Sequence, residues 1–134
     1  MLDEIVFEPR AGASMFDVEA LRRKLLEWPE CIQDPHEDEV IMVVFGEEGR
    51  AYRLEKRTAD PRSSRACGIV TIEPHMVSIT QDWADDEERA VMRDFARWLV
   101  ATYDPKIGSS VVGDDWTDRC AGNVDILFER PRSG

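Results

Sequence analysis

Residues 40–45, VIMVVF, place six apolar side chains in succession. A run of this length is too short for a buried helix and lacks the alternation of a strand with one wet face, so it reads as a strand covered on both sides. A chain that contains such a strand must build a sheet around it. The candidates are LDEIVFE (2–8), RAYRLEKR (50–57), CGIVTI (67–72), HMVSIT (75–80) and NVDILFE (123–129), the last with Val124, Ile126 and Phe128 on one face. The glycines of GEEG (46–49) suit a hairpin between 40–45 and 50–57, and the two residues between 67–72 and 75–80 suit a second.

Two helices interrupt the strands. In the first, Ser14 is the expected cap with Asp17 in capping-box position, Val18, Leu21, Leu25 and Trp28 follow at helical spacing, and Pro29 ends the run. In the second, Asp82 is the expected cap and Asp85, Asp86, Glu87 and Glu88 crowd the first turn, where negative charge favours the helix dipole. Met92, Phe95, Ala96, Leu99 and Tyr103 form its apolar stripe, and Pro105 marks its end. The order β-α-β-β-β-β-α-β predicts an α+β domain: a mostly antiparallel sheet of five to six strands with two helices packed on one or both faces. At 134 residues the chain is read as one domain, residues 1–134. Residues 30–39 are expected to be an acidic loop, 58–66 a polar surface loop, and 106–122 a long irregular connection of the kind that often carries function.

Charge narrows the function. Against 28 Asp and Glu stand 17 Lys and Arg, a formal net charge of −11, which repels nucleic acid and anionic membranes and speeds encounter with basic proteins. Solubility alone also accounts for acidity in many bacterial cytosolic proteins. No membrane-length apolar stretch is present, and MLDEIVFEPR carries acids where a secretory signal carries bases, so a cytoplasmic location is expected. Cys31, Cys67 and Cys120 are odd in number and widely spaced, which argues against a disulfide framework and against a zinc site. One segment runs the other way: residues 50–65 are +4, leaving −15 for the rest, and Arg89, Arg93 and Arg97 recur at spacing four. With only Tyr52 as a nearby aromatic, these are read as solvated faces that neutralise neighbouring acids.

No phosphate-cradling glycine loop and no nucleophile elbow occurs, so neither a nucleotide nor another cofactor is expected. His75 follows Pro74 in a hairpin turn and reads as an exposed turn residue; His36 lies among carboxylates in DPHEDE. The segment GDDWTDRC (113–120) sets Asp114, Asp115 and Asp118 about Trp116. These aspartates can offer oxygen ligands to a hard divalent cation, but the spacing is not that of a calcium loop, and no metal site is assigned. The alternative is recognition, in which Trp116 anchors a partner and the aspartates steer it. A tryptophan here can equally fold back over the core. The reading that follows is a small acidic protein-binding inhibitor of immunity type, without catalytic residues of its own, that neutralises a basic toxin or effector enzyme. Its expected partner-binding residues are Trp116, Asp114, Asp115 and Asp118, with Asp34, Glu37, Asp38 and Glu39 as a second acidic patch. The alternatives are a dimeric chaperone for a secreted effector, and a metal-assisted hydrolase centred on Asp114–Asp118.

Overall fold

A computed structural model of the chain describes residues 4–34, 37–44, 67–80, 86–109, 115–120 and 123–128. The fold is α+β. The strands are β1 (Glu4–Glu8), β2 (Cys31–Gln33), β3 (Val40–Val44), β4 (Cys67–Glu73), β5 (Met76–Thr80) and β6 (Lys106–Ser109). The helices are α1 (Val18–Leu25), α2 (Asp86–Tyr103) and the single-turn α3 (Thr117–Cys120), followed by a 3-10 helix over Val124–Phe128. All six strands join one antiparallel sheet in the order β2-β3-β4-β5-β1-β6. Among the described residues no helix is long and apolar enough to cross a membrane.

Alternation along the strands builds the core. The register aligns Ile41, Val70, Ile79 and Ile5 in one row across the sheet, and Ile72, Val77, Phe7 and Ile107 in the next; all are buried. Leu21 and Leu25 of α1 and Met92, Phe95, Ala96 and Leu99 of α2 join these residues in one cluster, so both helices cover the same face of the sheet. Each such side chain withdrawn from water contributes about 1.5–3 kcal/mol before chain entropy is counted. The stripe expected on the second helix is the buried one, with Tyr103 half-buried at its end.

Three segments differ from the sequence reading. The cap of α1 is Asp17, not Ser14: its backbone is extended and its carboxylate accepts the Ala20 N–H at 3.1 Å, while α1 ends at Leu25 and Trp28 sits in the turn beyond. The acidic loop contains a strand, β2, which forms one edge of the sheet. β3 pairs with β2 and β4, and residues 50–57, its expected hairpin partner, lie outside the described residues, as do 58–66 and Asp82. The connection 106–122 is not structureless, since Lys106–Ser109 pairs with β1 and Thr117–Cys120 makes a helical turn.

The last predicted strand is a 3-10 helix. In VDILF the apolar set Val124, Ile126, Phe128 fits a period of two, but the set that is buried is Val124, Leu127 and Phe128, which fits a period near three. Packing against α2 decides between them, and a bidentate pair fastens the arrangement: Arg97 Nε and Nη2 lie 2.7 and 2.5 Å from the Asp125 carboxylate. The hydrogen bond from Arg97 holds the Asp125 carboxyl below its ordinary value. Arg97 also reaches Asp94 at 3.5 Å, and Arg93 reaches Asp94 at 3.4 Å, so two members of the arginine stripe neutralise local acids as expected.

Two stability measurements check these assignments. Leu127→Ala should cost about 2–4 kcal/mol in urea unfolding, and clearly more than Ile126→Ala; the reverse ranking would restore the strand. Asp17→Ala should cost about 1 kcal/mol, with Ser14→Ala close to neutral.

Candidate functional site

The aspartate segment is sewn onto the outer edge of β6. Asp115 bridges Gly108, the Trp116 N–H donates to the Ile107 carbonyl at 2.8 Å, and the Thr117 hydroxyl accepts the Ile107 N–H at 2.9 Å. The Asp115 carboxylate in turn accepts the Thr117 N–H at 2.9 Å, at the start of the α3 turn. Trp116 is half-buried and packs against the core, the covering role that stood as its alternative, while Asp115 and Asp118 are exposed. Asp114 lies outside the described residues.

Asp115 and Asp118 face an open cleft of about 640 Å³ that Glu8, Arg10, Lys106 and Thr117 also line. Arg10 is held there by Asp104, its Nε donating to the Asp104 carbonyl at 2.8 Å and its Nη2 lying 3.3 Å from the carboxylate. Asp104 itself takes a left-handed conformation, φ 46°, where α2 gives way to β6. The Asp115 carboxyl is held below its ordinary value, first by the backbone and hydroxyl of Thr117, against an opposing effect of desolvation, and to a lesser extent by the positive charges of Lys106 and Arg10. Negative potential at this cleft is therefore partly offset by the two bases on its wall. Among the described residues, no group of three His, Cys, Asp or Glu is placed to share a metal ion.

The second acidic patch has a different construction. Asp34 is only 4% exposed, so it does not belong to the solvent-facing patch in which the sequence reading put it. Its carboxylate accepts the Glu37 N–H at 3.2 Å and so braces the turn from within. The Gln33 amide nitrogen sits 3.0 Å from the carbonyls of both Glu37 and Asp38 and 2.9 Å from that of Val40. Arg22 of α1 donates to the Asp38 carbonyl at 2.8 Å, and the Ile72 N–H of β4 donates to that of Glu39 at 2.8 Å. The three consecutive residues Glu37, Asp38 and Glu39 are exposed on this fastened backbone.

The fold does not bring the two patches together. One adjoins β2 and the other β6, the two edges of the sheet. Five inter-strand spacings of about 4.8 Å separate those edges by about 24 Å. Gln33 and Arg22 were not among the residues expected at a site, and neither carries a motif; Gln33 acts from β2, a strand too short to register in the sequence, and Arg22 reaches the turn from α1. His75 is an exposed turn residue as expected, 3.7 Å from Glu73. His36 lies outside the described residues. Cys31 and Cys120 are free and buried, and burial pushes the Cys31 thiol up to about 12, so neither is an activated nucleophile.

In comparisons with family models, with curated proteins and with solved structures, none matches this chain.

The depressed Asp115 group has a defined pH signature. A carboxyl whose folded value lies below its unfolded one contributes stability above the unfolded value and loses it as pH falls through the folded one. Thr117→Val should move the Asp115 titration, followed by carboxyl-carbon NMR, upward toward the ordinary aspartate range. An unmoved titration would mean that the Thr117 hydroxyl plays no part and that the backbone N–H, which valine keeps, sets the value with Lys106 and Arg10.

Proposed function

We propose that this chain is a small acidic binding protein of the inhibitor or immunity type, which acts in the cytoplasm by covering a functional surface of a basic toxin or effector enzyme. The observation that supports this most is the turn Glu37–Asp38–Glu39, three exposed acidic residues on a backbone tied down by Gln33, Asp34 and Arg22. A recognition loop held in place before the encounter loses little conformational entropy on binding, so more of the interaction energy appears as affinity. The net charge of −11 adds a long-range field that raises the rate of productive encounter with a positively charged surface.

In this reading the turn at 37–39 is the principal contact, and Asp115 and Asp118 with the neighbouring Trp116 form a separate acidic region on the far edge. A partner of ordinary size that covers about 800 Å² of this chain is centred on one edge or the other. The β2–β3 edge is the better candidate because three consecutive exposed acids share one fastened turn there, with Arg22 bound to a backbone carbonyl, whereas Lys106 and Arg10 share the cleft with Asp115 and Asp118. Binding needs no covalent chemistry from this chain.

The test is affinity capture from the source cells at low salt with the wild-type chain, followed by stopped-flow association with the captured protein. The captured protein should be basic. The variant E37Q/D38N/E39Q should associate about tenfold more slowly at low ionic strength, with a flatter dependence on salt, whereas D115N/D118N should change the rate by much less. Equal rates for wild type and E37Q/D38N/E39Q at low salt, or an acidic partner, would overturn the proposal.

A further inference from the structure

We draw no further inference here: the strongest candidate, the aromatic seam between α1 and α2 where the Lys24 ammonium lies 5.7 Å from the Trp28 ring and 5.8 Å from the Trp98 ring, is a surface face, and nothing in the structure shows what covers it.

Discussion

The insertion of β1 between β5 and β6 is the interaction from which the rest of the architecture follows. Ile5 and Phe7 pair across β5 with Ile79 and Val77, and Phe7 pairs on its other side with Ile107. This long-range pairing makes β6 an edge strand, which lets Asp115–Thr117 fold onto its outer side and sets α3 and the 3-10 helix against the end of the core. It also leaves β2 as the opposite edge. The separation of the two acidic regions is thus a consequence of strand order. No local rearrangement of either segment can bring them to one site while β1 stays in place.

That separation changes how the charge of the molecule should be understood. A net charge of −11 acts at long range as one field, but recognition at contact distance depends on which carboxylates share a surface and what stands beside them. At the β6 edge, Asp115 spends hydrogen-bonding capacity on Thr117 and lies near Lys106 and Arg10. Across the sheet, other side chains do the holding: Asp34 is buried and braces the turn, half-buried Gln33 bonds its carbonyls, and Glu37, Asp38 and Glu39 remain exposed. Order in the backbone and exposure of the charges are then supplied by different residues. A preorganised recognition element requires that division.

The parts of the fold legible in the sequence are those where burial imposes one period over several residues. Ile5 and Phe7, Val77 and Ile79, and the stripe Met92, Phe95, Ala96, Leu99 all lie where their spacing puts them. Short elements were not legible, for specific reasons. In VDILF two periods fit the same five letters, and contact with α2 selects the helical one. In KIGS one large apolar residue, Ile107, is too little to show an alternation, and β6 exists because β1 offers it an edge. CIQ is three residues long beside an acidic stretch, and its strand character comes from the register with β3. The candidate site inherits this limit: its acids were visible, whereas Asp34's burial and the bracing role of Gln33 depend on a strand that local sequence does not announce.

The most direct test of the proposed recognition surface is a nitrogen-15 NMR titration of the intact chain with a short oligolysine peptide at low and at moderate salt. The expected result is that the amides of Glu37, Asp38 and Glu39 shift first and farthest, with the response weakening as salt rises. Larger and earlier shifts at Asp115–Asp118, or no selective response at the β2–β3 turn, would contradict it.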